Sequence, residues 1–152
     1  MARKFKRAPN DLFERFSLYF PYSTVDVVIQ NDDSFLLTRR AIPPYKNKWN
    51  LPGGIVFKTE KLADAARRVT KAELNLTVKI EGFVGVYENP VLVRHDITHV
   101  FLASILRGKI ARDFQSSEAR FFKKAPRDMV PYQKKILDDA STMLVKKRSM
   151  YR

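Results

Sequence analysis

The sequence contains the run Trp49-Asn-Leu-Pro-Gly-Gly-Ile-Val-Phe-Lys-Thr-Glu60, followed directly by Lys61-Leu-Ala-Asp-Ala-Ala-Arg-Arg-Val-Thr-Lys-Ala-Glu-Leu-Asn-Leu76. The Pro-Gly-Gly turn leads into a short apolar strand and then a loop. From Leu62 onward, apolar residues recur at steps of three and four, which predicts an amphipathic helix. Thr59 is placed where a helix N-cap would help, and Asp64 lies early, where the helix dipole favours negative charge.

This run resembles the Nudix box, whose pattern is G-x5-E-x7-R-E-U-x-E-E-x-G-U, with U an aliphatic residue. The positions that match the pattern are Gly54, Glu60, Arg68 and Glu73. The positions that depart from it are Val69 and Ala72, where the pattern has glutamate, and Asn75, where it has glycine. The spacing from turn to glutamate to helix is a fairly specific signal of the Nudix superfamily.

The departures from the pattern reduce the number of carboxylates available to a metal. Positions 69, 72 and 73 lie on one side of a helix, and in an ordinary Nudix hydrolase that side carries three carboxylates. Magnesium takes oxygen ligands, usually one or two carboxylates together with waters and substrate phosphates. Because only Glu73 remains here, the sequence predicts one Mg²⁺ ion and not a cluster of ions.

The core of the box, Arg68 to Leu74, resembles that of the GDP-mannose mannosyl hydrolase branch, in which an aliphatic residue and an alanine also replace two glutamates. The resemblance implies a magnesium-dependent hydrolase of a nucleoside diphosphate sugar that breaks a carbon–oxygen bond. The alternative is independent decay of the box in a catalytically impaired Nudix-fold protein that binds a nucleotide or RNA.

The same resemblance implies a set of site residues. The metal would be held by the backbone carbonyl of Gly53 and by Glu73 and Gln115. Asp26 would lie at the sugar, and Arg40 would contact the diphosphate and assist catalysis. Arg68 would orient Glu73 by an ion pair, and His99, within a Thr-His pair, would line the substrate site.

Asp26 also stands out without the resemblance, because it is a carboxylate within an apolar segment that predicts a strand from Ser23 to Ile29. A buried carboxylate is costly without a partner, so Asp26 is expected to face a pocket, a cation or solvent. An aspartate that faces water from an edge strand is the alternative interpretation.

Two further departures concern catalysis. Ile55 stands where the mannosyl hydrolases have an arginine that helps the departing diphosphate, and Ser116 stands where they have a histidine that acts as general base. A serine hydroxyl is not a base near neutral pH, whereas histidine titrates there. Loss of a general base typically costs about 10²–10⁴-fold in rate. Glu118 and His95 are candidates for the missing role.

Length, composition and charge limit the classes of protein to which this sequence can belong. A chain of 152 residues fits one domain, predicted to span 1–152, and the absence of cysteine excludes disulfides and cysteine-ligated zinc. The formal net charge of +13 makes a polyanion such as RNA a credible partner, although no RNA-binding signature is present. A solvated basic surface explains the charge equally well.

Location and assembly are also predicted from the sequence. No apolar run approaches 18 residues and no apolar segment follows the basic N-terminus, so we expect a soluble, cytoplasmic protein with no membrane partner. The related enzymes are dimers, which makes a homodimer the expectation by resemblance.

The order of predicted elements defines the fold class. A helix begins near Asn10, and it is followed by a hairpin, a loop, the helix of the box, further strands and a last helix. The later strands are predicted at Thr77–Tyr87, Ile97–Leu106 and within Phe114–Phe122, with a turn at Glu88-Asn89-Pro90, and the last helix at Tyr132–Val145. This order predicts an α/β protein, a Nudix-type α/β/α sandwich around a mixed β-sheet. Residues 1–9 and 146–152 are predicted to be flexible basic tails.

Overall fold

The computed structural model of this chain describes residues 6–91, 94–111 and 113–152, so that part of the predicted flexible segment 1–9 lies outside the described residues. The helices are α1 (Asn10–Ser17), α2 (Leu62–Leu74) and α3 (Pro131–Met150). The strands are β1 (Tyr22–Asn31), β2 (Ser34–Arg40), β3 (Trp49–Asn50), β4 (Gly53–Ile55), β5 (Thr77–Val91), β6 (Arg94–Arg107) and β7 (Ser116–Phe122).

The strands form one mixed sheet, in the order β3-β2-β1-β6-β5, with β4 paired to β1 and β7 paired to β2. The pairing of β1 with β6 is parallel, whereas β1–β2, β1–β4, β2–β3, β2–β7 and β5–β6 are antiparallel. The predicted fold class, α/β with helices packed around a mixed sheet, is confirmed.

The two faces of the central strand β1 carry the two halves of the core. Val25, Val27 and Ile29 point to one face, where they pack with buried residues of α2. Val28 points to the other face, where it packs with buried residues of α3. Successive side chains of a strand alternate between faces, so β1 is buried on both sides. Asp26 lies on the same face as Val28.

Helix α1 has no buried residue and is attached to the sheet through aromatic contacts. The ring of Phe13 stacks on that of Tyr22 with centroids 4.5 Å apart, and the Tyr22 hydroxyl donates to the Phe13 carbonyl. Phe16 also contacts Tyr22, at 5.4 Å between centroids. Tyr22, the first residue of β1, therefore fixes the position of α1.

Three predicted boundaries were wrong. The turn at Glu88-Asn89-Pro90 is absent, because β5 continues to Val91 and pairs Pro90 with His95. An edge strand tolerates proline, because one side of its backbone has no strand to bond. Helix α3 extends past Val145 to Met150. Thr59 is not a helix cap: it has a φ of 69°, and the N-cap is Lys61, which has no side-chain cap.

No helix among the described residues combines the length and apolarity needed to cross a membrane.

Candidate active site

Gly53 brings the Pro-Gly-Gly turn into direct contact with the strand that carries Asp26. The two residues are paired in the antiparallel ladder of β1 and β4. A Cβ atom on Gly53 would lie 2.0 Å from Oδ1 of Asp26 and 2.5 Å from the carbonyl oxygen of Val25. Only a residue without a side chain allows this approach, so the glycine sets the spacing between the turn and the carboxylate.

Glu73, near the end of α2, reaches the same turn from the other side. The backbone N–H of Gly53 donates to Oε1 of Glu73 across 3.4 Å. Burial raises the pKa of Glu73 to about 8, the nearby charges of Asp113 and Asp26 add to the rise, and the Gly53 hydrogen bond and Arg40 oppose it. Burial likewise raises the pKa of Asp26 to about 7. Asp26, which is buried, and Glu73, which is half-buried, therefore both lie against Gly53.

Gln133, on the first turn of α3, holds Asp26 and was missed by sequence reasoning. Its Nε2 donates to Oδ2 of Asp26 at 2.9 Å, and its Oε1 accepts from the backbone N–H of Leu51 at 2.9 Å. The Gln133 side chain is buried. No local motif marks this residue, because its partner Asp26 is 107 positions away.

Arg40 lies at an irregularity in the pairing of β2 with β7, where its strand partner is Ser116. Its guanidinium donates to the backbone carbonyls of Pro43 and Pro44. Burial lowers the pKa of Arg40, as does the charge of Arg94, while Glu73 and Asp26 oppose that change. The charges of Glu73 and Asp26 therefore act on Arg40, while a contact of Arg40 with a diphosphate stays a prediction.

Arg68 does not orient Glu73, and the predicted ion pair is wrong. The Arg68 guanidinium binds both oxygens of Glu60, at 2.6 and 2.9 Å, and donates to the Ile55 carbonyl at 2.7 Å. Arg68 and Glu73 are five positions apart on α2, whereas neighbours on a helix surface are three or four apart. Glu60 accepts a further bond from the Phe57 N–H, so this ion pair closes the loop before the helix.

Gln115 is anchored beside the Arg40 loop and is held by Asp113. The Gln115 carbonyl accepts from the N–H of Ala41 at 2.8 Å. Asp113 accepts from the backbone N–H of Gln115 at 2.9 Å and from its Nε2 at 3.3 Å. The Nε2 of Gln115 is directed to Asp113, and among the described residues no hydrogen bond is donated to its Oε1. Asp113 is a second functional candidate that sequence reasoning missed.

His99 lies on the face of the sheet opposite Asp26, which is the face covered by α2. His99 on β6 pairs with Val25 on β1, whereas Asp26 on β1 pairs with Val100 on β6. The side chains of His99 and Asp26 therefore point to opposite faces of the sheet. The Nδ1–H of His99 donates to the carbonyl of Thr24 at 3.1 Å. A substrate contact by His99 stays a prediction. Its hydrogen bond to Thr24 also fits a structural role for the ring.

The two candidates for a replacement base have contrasting surroundings. Glu118 on β7 forms ion pairs with Arg39 and Arg120. The Nε2 atom of His95 is buried and has no hydrogen-bond partner in the part of the chain that the structure describes. Neither residue has a contact with Glu73 or Gln115 among the hydrogen bonds of the described residues.

The oxygens around Gly53 are of the kind that binds a hard cation. Among residues 6–91, 94–111 and 113–152, no three histidine, cysteine, aspartate or glutamate side chains group together as a metal cluster. The oxygen donors that the structure brings together here are a carboxylate of Glu73 and the carbonyl of Gly53, the residue whose N–H binds Glu73. Magnesium prefers such ligands and keeps several waters. A cation here would also relieve the repulsion between the carboxylates of Glu73 and Asp26.

Residues 21–142 match the family model of the NUDIX domain, and the chain belongs to that family. The sequence is 31% identical over 140 residues to the low-salt glycan biosynthesis protein Agl8 of Haloferax volcanii, covering 87% of this chain and 90% of that protein. It is 33% identical over 112 residues to the ADP-ribose pyrophosphatase of Methanocaldococcus jannaschii, covering 72% of this chain and 66% of that protein.

Solved structures show the same architecture. A NUDIX hydrolase from Nitrosomonas europaea is similar with a TM-score of 0.64 and 28% identity, over 78% of this chain and 71% of that chain. A MutT protein from Methanosarcina mazei Go1 is similar with a TM-score of 0.71 and 22% identity, over 80% and 94% of the two chains. The second likeness concerns the fold alone.

Proposed function

We propose that this protein is a magnesium-dependent hydrolase of a nucleoside diphosphate derivative, and that its substrate is a nucleoside diphosphate sugar such as GDP-mannose. The observation that carries the proposal is the convergence of Asp26 and Glu73 on Gly53, within the electrostatic reach of Arg40. Carboxylates beside a backbone turn can bind a metal ion, and the positive charge of Arg40 can bind the diphosphate that the metal carries.

The metal site consists of the Gly53 carbonyl, Glu73 and the amide oxygen of Gln115, and it takes one Mg²⁺ ion. When bound, the ion supplies positive charge that polarises phosphate oxygens. Arg40 binds the diphosphate and neutralises the charge that develops as the diphosphate departs. Arg68 supports the loop before α2 through Glu60, so its contribution to catalysis is indirect.

Asp26 and Asp113 have separate roles in this proposal. Gln133 donates to Oδ2 of Asp26, and among the described residues no hydrogen bond is donated to Oδ1, so Oδ1 is assigned to a sugar hydroxyl. Asp113 is a carboxylate next to the metal ligand Gln115, and it can take a proton from the attacking water. Ser116, the strand partner of Arg40, cannot act as that base near neutral pH.

The relatives support two parts of the proposal. The name of the ADP-ribose pyrophosphatase relative points to a nucleoside diphosphate derivative. The name of Agl8 points to glycan biosynthesis, a process to which a sugar-nucleotide substrate is suited. A homodimer and a cytoplasmic location stay predictions.

The test is proton NMR of the protein with Mg²⁺ and a panel of nucleoside diphosphate sugars, alongside the Glu73→Gln variant. Free sugar plus nucleoside diphosphate, absent with Glu73→Gln, is the expected result and defines carbon–oxygen cleavage. Nucleoside monophosphate plus sugar phosphate means attack at phosphorus, and it overturns the mannosyl hydrolase branch while keeping the hydrolase. No turnover with any donor overturns the sugar-nucleotide assignment.

The net charge of +13 favours a second candidate, a catalytically impaired protein that binds RNA. Calorimetry of RNA and of GDP-mannose across a range of salt concentrations separates the two functions. RNA affinity that falls steeply with salt, without any binding of the sugar nucleotide, is the result that this candidate requires. Sugar-nucleotide binding that depends on Mg²⁺ is the result that the hydrolase requires.

A further inference from the structure

A cavity of about 640 Å³ lies between the sheet and the C-terminal end of α3. The sheet side of the cavity is lined by Gln30 of β1, Glu81 of β5 and Ser104 of β6. The helix side is lined by Arg148 of α3 and by Arg152, which follows the helix. Pockets of about 300–1,000 Å³ hold small molecules in proteins, so this cavity has the size for a small ligand.

The cavity is separate from the site around Gly53, although Gln30 and Asp26 point to the same face of the sheet. Gln30 pairs with Ser104 in the ladder of β1 and β6, four residues after Asp26. Even steps along a strand keep side chains on one face, and four residues of a strand span about 13 Å. Val28, which is fully buried, lies between them. Gln30 and Asp26 therefore belong to different sites.

The sheet side of the cavity presents a buried acceptor that lacks a donor. Oε1 of Gln30 is buried, and nothing in the part of the chain that the structure describes donates to it. The neighbouring polar groups are already paired: Ser104 donates to Oε1 of Glu81 at 2.7 Å, and Nζ of Lys147 lies 3.5 Å from Oε2 of Glu81. Buried polar atoms in native proteins are nearly always hydrogen-bonded. A hydroxyl group of a ligand can supply the donor that Gln30 lacks.

The helix side of the cavity presents positive charge that is not neutralised. Arg148 donates from Nη2 to the backbone carbonyl of Asp32 at 2.6 Å, and this bond orients its guanidinium. Within residues 6–91, 94–111 and 113–152, no carboxylate forms an ion pair with Arg148 or Arg152, whereas Lys147 is paired with Glu81. Guanidinium groups bind phosphate oxygens through paired hydrogen bonds. The two arginines are therefore suited to a phosphate group.

We propose that this cavity is a second ligand site, which binds a sugar phosphate, either free or as the sugar and phosphate of a nucleoside monophosphate. Arg148 and Arg152 bind the phosphate, and Oε1 of Gln30 accepts a hydrogen bond from a sugar hydroxyl. The proposal goes beyond hydrolysis at Gly53 and does not depend on it, because none of the residues assigned to that site lines the cavity.

Calorimetry in EDTA tests this site in the absence of a metal-bound nucleotide. The probes are ribose 5-phosphate, AMP, inorganic phosphate and unphosphorylated ribose. The wild type is expected to bind ribose 5-phosphate more tightly than inorganic phosphate or ribose, because only the sugar phosphate engages both sides of the cavity. Binding of AMP tighter than that of ribose 5-phosphate supports a nucleoside monophosphate as the ligand, and weaker binding supports a free sugar phosphate.

Two substitutions separate the two sides of the cavity. Arg148→Gln is expected to weaken the binding of ribose 5-phosphate and of inorganic phosphate by about ten- to a hundredfold, the size of a charge-assisted hydrogen-bond pair. Gln30→Met is expected to weaken ribose 5-phosphate by about three- to tenfold, the size of a neutral hydrogen bond, and to leave inorganic phosphate unchanged.

Arg15→Gln is the matched control for Arg148→Gln. Both arginines are exposed residues in the last turn of a helix, Arg15 in α1 and Arg148 in α3, and both substitutions change the net charge equally. Arg15→Gln is expected to leave every Kd at the wild-type value. Equal weakening by Arg15→Gln and Arg148→Gln would mean that net charge alone attracts the phosphate, and it would overturn the site.

Amide NMR shifts locate the ligand independently of affinity. Ribose 5-phosphate is expected to shift the resonances of Gln30 and Ser104 and to leave that of Gly53 in place. Shifts at Gly53 alone, or no binding of ribose 5-phosphate and AMP by the wild type, would overturn the second site. Neither result bears on the proposed hydrolase, whose failure is seen separately as the absence of products in the assay with Mg²⁺ and nucleoside diphosphate sugars.

Discussion

Gly53 has no space for a side chain, so its replacement tests how closely β4 packs against β1. An alanine Cβ at this position would meet Oδ1 of Asp26 at 2.0 Å and the Val25 carbonyl at 2.5 Å. Because the second atom belongs to the backbone, β4 must move away from β1. We expect Gly53→Ala to lower the free energy of unfolding by about 1–3 kcal/mol, as overpacking does elsewhere. Urea unfolding followed by circular dichroism measures it.

Gly85→Ala is the control for this substitution. Its added Cβ would first meet the ring edge of Tyr87 at 3.3 Å, and a side chain can give way more easily than a backbone carbonyl. The stability loss at Gly85 is expected to be clearly smaller than at Gly53. An equal loss at both glycines would contradict the close approach of the turn to Asp26.

Glu60 gives a prediction about pH, because its carboxylate is 1% exposed and bound by Arg68. Burial alone would raise the pKa of Glu60, but the hydrogen bonds from Arg68 and from the Phe57 backbone outweigh burial and lower it. A pKa that is lower in the folded state stabilises the fold above the unfolded pKa of about 4.5. That stabilisation is lost as the pH falls through the folded pKa.

Glu60→Gln is therefore expected to lower the free energy of unfolding at pH 7 by about 2–4 kcal/mol, because it leaves the Arg68 charge without its partner. The variant should also lose less stability than the wild type between pH 5 and pH 3 (roughly the window in which a carboxylate titrates). Asp64→Asn, which breaks the exposed pair with Arg67, should cost about 0–0.5 kcal/mol. Thermal melts at several pH values provide the comparison.

At the scale of elements, the sequence predicted α2 and the turn before it well, because both depend on local signals. The three- and four-residue periodicity of α2 and the Pro-Gly-Gly turn are such signals, whereas the grouping of Gly53 with Glu73 was implied by the resemblance. The continuation of β5 through Pro90 could not be foreseen, because it depends on β5 being an edge strand. The ion pair of Arg68 with Glu60 could not be foreseen either, because it depends on the path of the loop that brings Glu60 next to α2.

The first turn of α3 joins the last helix to both β1 and the turn before β4, through Gln133. Gln133→Met keeps the size of the side chain but leaves the Leu51 N–H and the Asp26 carboxylate without their partner. We expect a loss of about 2–4 kcal/mol in the free energy of unfolding, since buried polar groups without partners are costly. Chemical denaturation at neutral pH measures this loss.

Gln30→Met is the matched control for Gln133→Met. The Oε1 atom of Gln30 is buried on β1 and has no hydrogen-bond partner among the described residues. Replacing this amide removes no bond made by that oxygen, so its cost should be smaller than that of Gln133→Met by about 1–3 kcal/mol. Equal costs would mean that the Gln133 hydrogen bonds do not tie α3 to the site.

At the scale of the whole molecule, the site lies where the three layers meet. Glu73 comes from α2, Asp26 from the central strand, and Gln133 from α3 on the opposite face. Burial raises the pKa of both Glu73 and Asp26, and the charge of Asp26 adds to the rise at Glu73. A cation bound at Gly53 favours the native arrangement of all three layers, because it binds the folded state and offsets this repulsion.

Magnesium is therefore expected to stabilise the entire fold. At a free concentration about a hundredfold above its Kd, a ligand specific for the native state contributes about 2.7 kcal/mol. For a chain of this size that corresponds to a rise in Tm of about 5–10 °C. Scanning calorimetry with Mg²⁺ and with EDTA measures the rise. Glu73→Gln should abolish it, whereas Glu88→Gln, which removes an exposed glutamate of β5, should retain it. An equal rise in Glu73→Gln would mean that the ion binds elsewhere, and the assignment of Glu73 as a metal ligand would fail.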